Sequence, residues 1–379
     1  MARRARAPLY RIDRQGAVGQ RSALMTERAI IIGAGQAAAQ AAQSMRQAGF
    51  DGDIVMLGEE RELPYQRPPL SKAYLQGELD AQRLYLRPAA FYEQQRVDIR
   101  LGVRATAVDA AARTVTTDAG ETLSYDKLLL ATGAPPRRLN CDGADLEGVY
   151  YLRSIADSDA LRPILSANGR IVIVGAGYIG LEVAASARKA GLDVTILEMA
   201  DRVLARVAGR DISEFYEKLH RDHGVDLRLD AALDHFEGAG AVRAAVLKSG
   251  EKIACSAVLV GVGAAPATML AETADLRLAN GVWTDDHAQT SDPAIWAAGD
   301  CASHPSPIYE RRLRLESVPN AIEQAKVAGV NMAGGNAVYD AVPWFWSDQY
   351  DVKLQTVGVS EGADETVLRV GIEIGRAHV

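Results

Sequence analysis

No two cysteines in this chain stand close enough to make a CxxC or CxxxxC pair: Cys141, Cys255 and Cys301 are scattered singly through 379 residues. That argues against a redox-active dithiol and a zinc site, and it suits a reducing, cytoplasmic setting. Excess positive charge is also missing. Lysine and arginine number 42 against 49 acids, a formal net charge of −7, so nucleic acid is a poor partner for the chain as a whole. No stretch reads as a membrane span either. A long uncharged stretch, residues 254–271, is broken by Gly261, Gly263 and Pro266 and is rich in small residues, which predicts a strand and a loop. Residues 1–25 lack apolar periodicity while carrying Arg3, Arg4, Arg6, Arg11, Arg14 and Arg21. An organelle transit peptide would add an amphipathic stripe and more hydroxyls, so a disordered or mis-started tail is expected, with Met25 as the working start.

What is present is ordinary for a globular protein, 48% hydrophobic and 24% charged, and the length suffices for two or three domains with separate cores. One stretch organises the rest: residues 170–198, RIVIVGAGYIGLEVAASARKAGLDVTILE. Ile171–Val174 is a β-branched run apolar on both faces, as in a parallel strand covered by helices. Gly175, Gly177 and Gly180 follow. The first permits a tight turn, the second lets backbone approach a pyrophosphate, and the third lets a helix pack closely on the sheet. Glu198 closes the next strand, where a carboxylate accepts both hydroxyls of an adenosine ribose and repels a 2′-phosphate; the nearby Arg202 and Arg206 qualify that preference for NADH over NADPH. Residues 29–59 repeat the plan, with Gly33 and Gly35, Ala38 in the third place and Glu59 at the end. Two such fingerprints suggest two nucleotides meeting face to face, a flavin and a nicotinamide being the natural pair for hydride transfer.

Between and after the fingerprints lie further signals. In LPYQRPPLSKAYL, residues 63–75, Pro64, Pro68 and Pro69 exclude a regular helix before Ser71, which predicts a shaped loop leading into a helix. Lys72 would then stand in a first helical turn, an unfavourable place for a cation unless an anionic or electron-rich partner is buried beside it. Residues 128–133, LLLATG, form an apolar strand ending at Thr132 and Gly133. VLVGVGAAP at 258–266 has the same character, and DPAIWAAGD at 292–300 ends in Asp300. Pro319, in SVPNAIEQAKVAG, suits a first helical turn.

The stretches IIGAGQAA, LLLATGA and VGAGYIGLEVAA resemble those of the flavin-dependent pyridine nucleotide oxidoreductases. RPPLSK, ESVPNAIEQA and PWFWSDQYD are similar to the branch of NADH-dependent ferredoxin reductases that serve bacterial oxygenases. The resemblance implies an α/β fold with two Rossmann-like three-layer domains and a smaller α+β domain. Residues 26–136 and 269–337 would hold FAD, 137–268 NAD, and 338–379 would be an interface domain. This last domain is expected to be truncated, with 373–379, EIGRAHV, a non-native tail. By resemblance Gly33, Gly35, Ala37 and Ala38 hold the FAD pyrophosphate and Glu59 its ribose. Ala105, Thr132, Gly133, Arg153, Asp300 and Val318 complete that site, the helix after Ser317 pointing at the flavin pyrimidine ring. Gly175, Gly177, Tyr178, Ile179, Gly180, Glu198 and Gly263 hold NADH. Lys72 lies by the flavin N5 edge, paired with Glu182, whose bland alternative is an acid favoured by the helix dipole. Trp344 and Trp346 lie by the flavin and towards a docking face, where Arg311, Arg312 and Arg314 would steer an acidic [2Fe–2S] ferredoxin. The segment that carries a cysteine pair in the disulfide reductases of the superfamily has none here, so reduced flavin must discharge directly to the partner. Rival readings are an NADH-responsive flavoprotein with an interaction role, similar to the apoptosis-inducing factors, and an inactive fragment.

Overall fold

The computed structural model describes residues 26–167, 169–363 and 365–367; the expected N-terminal tail and the expected non-native residues 373–379 lie outside them. Two five-stranded parallel sheets form the scaffold. In the first, the strand Arg28–Ile32 is central. Asp53–Gly58 and then Val97–Leu101 flank it on one side, Lys127–Leu130 and then Ile295–Ala297 on the other. Ile30 and Ile31, on opposite faces of that strand, are both fully buried and belong to separate apolar clusters, as expected of a sheet covered on both faces. The helix Gln36–Gln47 packs on the helix Val318–Met332 through Ala38, Ala41 and Ala42, and a Cβ on Gly329 would come within 2.6 Å of the Ala41 carbonyl oxygen. Small residues on both sides permit that close approach.

The second sheet repeats the order around Arg170–Val174, with Asp193–Leu197 and Asp226–Arg228 on one side, Ala257–Val260 and Val149–Tyr150 on the other. Each sheet therefore reverses its winding beside the strand that precedes its glycine turn, which is where α/β sheets open a crevice at the strands' carboxyl ends. The two units are joined by two crossings that pair with one another. The Arg137 N–H donates to the Gly263 carbonyl (2.9 Å), Ala265 to Pro135 (3.0 Å) and Ala267 to Gly133 (3.0 Å). A C-terminal hairpin, Trp344–Gln349 with Val352–Val357, turns at Tyr350, whose φ is +56°. Its first strand turns Ser347 and Gln349 inward, both fully buried.

One local expectation fails. No α-helix follows Ser71: Pro68–Ser71 makes a single 3₁₀ turn, and Lys72 leaves it at φ −129°, ψ −117°. Two prolines remove backbone donors, and short turns instead swing Leu70, Tyr74 and Leu75 into the core. Lys72 therefore meets no helix dipole, although an anionic partner, Glu182, is buried beside it.

Candidate functional site

The two glycine turns face one cleft of about 1170 Å³, larger than the roughly 300–1,000 Å³ usual for a single small ligand. Gly33 has φ +115° and a Cβ there would fall 2.2 Å from the Ala131 carbonyl oxygen; Gly175 has φ +101° and would meet Gly261 at 2.5 Å. Neither turn can form with a side chain. At Gly35 and Gly177 the reason for glycine differs, because an added Cβ would meet no protein atom within 4 Å. Each is the N-cap of its helix and neither helix has a side-chain cap, so unpaired N–H groups at a positive helix end face open space. That combination fits an anion such as a pyrophosphate. Ala38 and Gly180 stand behind the cleft wall as packing residues; a Cβ on Gly180 would lie 2.2 Å from the Gly175 oxygen.

Glu198 reaches back over the second turn, its Oε2 accepting from the Ala176 N–H (2.7 Å) and its Oε1 from Ala200 (2.9 Å), which fixes the carboxylate at the cleft edge. Glu59, in the equivalent place, is largely exposed and 3.9 Å from Arg104. Arg202 is turned inward onto the Ala205 and Ala208 carbonyls and Ser213, whereas Arg206 lines the cleft against Gly263.

Lys72 and Glu182 both line the cleft, with Lys72 Nζ 2.6 Å from Glu182 Oε2. The carboxylate is 4% exposed, so it is not a surface acid. It also accepts from Ser71 Oγ (2.5 Å) on Oε2 and from Ser347 Oγ (2.7 Å) on Oε1. A buried charge is tolerated only when paired and hydrogen-bonded in this way. Across the cleft Arg153 donates to Asp300 (3.1 Å), and burial raises the Asp300 carboxyl despite that arginine. Ala37, Ala105, Thr132, Gly133, Ile179 and Val318 line the same space. At the helix after Ser317, the Ser317 hydroxyl accepts from the Asn320 N–H and Pro319 has none to give, and Val318, the first residue of that helix, lines the cleft. Tyr178 packs against Phe345, ring centroids 4.3 Å apart and planes tilted by 34°, and burial, with Glu182 nearby, pushes its phenol up to about 12.

Several expectations need correction. Trp344 does not line the cleft; it is 37% exposed and stacks on Trp346 at 5.2 Å, while Phe345 and Trp346 form the wall. Arg311, Arg312 and Arg314 do not make a free basic patch. Arg314 is 10% exposed, paired with Glu316 (2.7 Å) and bonded to the Asp300 carbonyl. Arg312 donates to the Thr284 and Ser303 carbonyls and lies over the Trp283 ring, and Arg311 pairs with Glu361 (2.8 Å). A charge run in sequence does not reveal which way each side chain turns. Sequence reasoning also missed Arg67, which ties Glu60 (2.6 Å), Tyr65 (2.9 Å) and the Arg153 carbonyl (2.6 Å) together beside the cleft, and it missed Ser347. Their partners are too remote in the chain for spacing to betray them.

All three cysteines are free, Cys255 and Cys301 buried; burial raises each of these two thiols, that of Cys255 to about 11. Among the described residues there is no cluster of metal-ligating side chains and no helix long and apolar enough to cross a membrane.

Residues 27–325 match the pyridine nucleotide-disulphide oxidoreductase family and residues 344–378 the reductase C-terminal family. Rhodocoxin reductase of Rhodococcus erythropolis is 42% identical over 91% of this chain and 81% of its own length. The ferredoxin reductase subunit of the 5,5'-dehydrodivanillate O-demethylase of a Sphingobium species is 45% identical, over 90% of this chain and 83% of its own. Among solved structures, the covalent putidaredoxin reductase–putidaredoxin complex superposes with a TM-score of 0.88 at 41% identity, covering 91% of this chain and 84% of that one.

Proposed function

Because the chain belongs to the pyridine nucleotide-disulphide oxidoreductase family, we propose that it is a ferredoxin reductase carrying electrons from NADH through FAD to a [2Fe–2S] ferredoxin of an oxygenase system. One observation carries the reading: the buried Lys72–Glu182 pair sits in a single cleft between two uncapped glycine-turn helices. FAD, when bound, takes the two-electron hydride of the nicotinamide and releases single electrons.

The chain's own residues hold and orient. Amides at Gly35 and Ala37 and at Gly177 and Tyr178 bind the two pyrophosphates, and Glu59 and Glu198 accept the ribose hydroxyls. The positive end of the helix that starts at Val318 lines the cleft and would favour negative charge on the bound flavin. Lys72, held in place by Glu182, would support negative charge on the bound flavin. Tyr178, Phe345 and Trp346 keep water from the meeting point. With no cysteine pair in the chain, a dithiol relay has no residues to run on.

The test is anaerobic reduction of the bound flavin with one equivalent of NADH, followed by mixing with purified [2Fe–2S] ferredoxins. Rapid ferredoxin bleaching in wild type and slowed flavin reduction in Lys72→Met support the reading. A long-lived reduced flavin that discharges to no ferredoxin would instead favour the interaction role.

A further inference from the structure

Glu182 is gripped from two sides. Ser71 and Lys72 hold Oε2 from the loop of the first unit, while among the described residues Oε1 is held by Ser347 alone, from the C-terminal hairpin. Ser347 is itself one link in a longer run. Gln349 Nε2 donates to Ser347 Oγ (3.2 Å), Gln349 Oε1 faces His220 Nε2 (2.8 Å), and His220 Nδ1 faces the Tyr350 hydroxyl (3.2 Å). Ser347 and His220 are 0% exposed and Gln349 1%, so water is kept from the stretch between Ser347 and His220, while Tyr350 at its outer end is half-buried.

We propose that Ser347 is a positioning residue for the Lys72–Glu182 pair, and that a one-way chain of donors, Tyr350 to His220 to Gln349 to Ser347 to Glu182, fixes its hydroxyl on the carboxylate. The direction follows from the end group. A carboxylate facing an ammonium accepts only, so the single Ser347 proton points at Oε1 and its oxygen must receive the Gln349 amide proton. The Gln349 carbonyl oxygen is then left to accept from His220, which places the imidazole proton on Nε2. Bare Nδ1 accepts from Tyr350. Reversing any link would set two protons or two lone pairs face to face. The chain requires a neutral His220, and burial holds its acidity at about 4, well below the ordinary value of 6.5.

The consequence is that the hairpin completes the electron entrance. Without Ser347, Oε1 becomes a buried acceptor with no partner, a costly state that the carboxylate relieves by rotating, and Lys72 turns with it. The inference rests on the reading of Lys72–Glu182 as the pair beside the flavin, and the experiment separates the two. In the FAD-loaded full chain, Ser347→Ala should slow anaerobic flavin reduction by NADH about tenfold, the effect of one hydrogen bond to a charged group, with the Kd for NADH unchanged. Nitrogen-15 histidine NMR of the same proteins, without nicotinamide, gives a readout apart from turnover. Wild type should show His220 as the Nε2–H tautomer. Ser347→Ala frees the Gln349 amide to flip and should give a mixture of tautomers. Wild-type reduction rates in Ser347→Ala beside a slow Lys72→Met overturn the inference and leave the reading standing; wild-type rates in both overturn the two together. An Nδ1–H tautomer in the wild-type protein refutes the chain whatever the rates.

Discussion

Lowering the pH from 6.5 to 5 offers protons that the unfolded chain takes and the native chain refuses. His220 and His304 are buried, and burial lowers both to about 4, with Arg312 adding to the effect at His304. Unfolded, each titrates near 6.5. A depressed imidazole makes native stability full above about 6.5 and progressively lost as pH falls towards 4, because the unfolded state binds more protons in that window. At about 1.4 kcal/mol per pKa unit, integration from pH 6.5 to 5 gives a loss of about 1.6 kcal/mol for each histidine and about 3 kcal/mol for the pair. Asp300, raised by burial, works in the opposite direction, so the clean quantity is a difference between variants in which shared terms cancel. Denaturant melts of wild type and His220→Gln at pH 6.5 and 5 supply it. The variant keeps a donor for Gln349 without the titrating ring, and it should recover about half the acid-induced loss. The same pH dependence in both proteins would refute the reasoning.

Gly33→Ala meets backbone at 2.2 Å in a left-handed conformation and should lower the melting point of the FAD-free chain; Gly35→Ala, with no atom within 4 Å, should leave that melting point alone and weaken FAD binding, as equilibrium titration would show. Glu198→Ala removes an acceptor for the ribose and the partner of the Ala176 and Ala200 amides, so the KM for NADH should rise roughly 10- to 100-fold with a relative gain for NADPH in steady-state kinetics. Blocking thiols with a maleimide should leave NADH-to-ferredoxin electron flow intact, since Cys255 and Cys301 are buried and all three cysteines are unpaired; loss of flow on modification would point to a dithiol step.

Local signals survive into the structure where the physics is local. A glycine turn needs a positive φ or an open approach whatever surrounds it, so Gly33, Gly35, Gly175 and Gly177 could be read off directly, and the parallel strands beside them announced themselves as apolar on both faces. At Lys72 a sound demand hangs on a faulty premise: the 3₁₀ turn ends at Ser71 and no helix follows it, yet the anion expected beside the ammonium is there, as Glu182. Contacts made across the fold were opaque. Glu182 and Ser347 lie 165 positions apart, and no spacing rule links them. The arginines at 311, 312 and 314 show the complementary failure, since charge is legible in sequence and direction is not, and two of the three spend theirs on internal carbonyls.

The paired crossings at Gly133–Arg137 and Gly263–Ala267 govern how the two units can move. A single thread lets the unit it carries spin freely about its own axis. Two threads hydrogen-bonded side by side resist that twist, and Leu70, Tyr74 and Leu75 packed against Ile171 and Ile173 of the second unit add to the restraint. Each nucleotide is thus presented to the other at a bearing set before either arrives, and the alignment that a freely jointed pair would have to find by diffusion is built into the backbone.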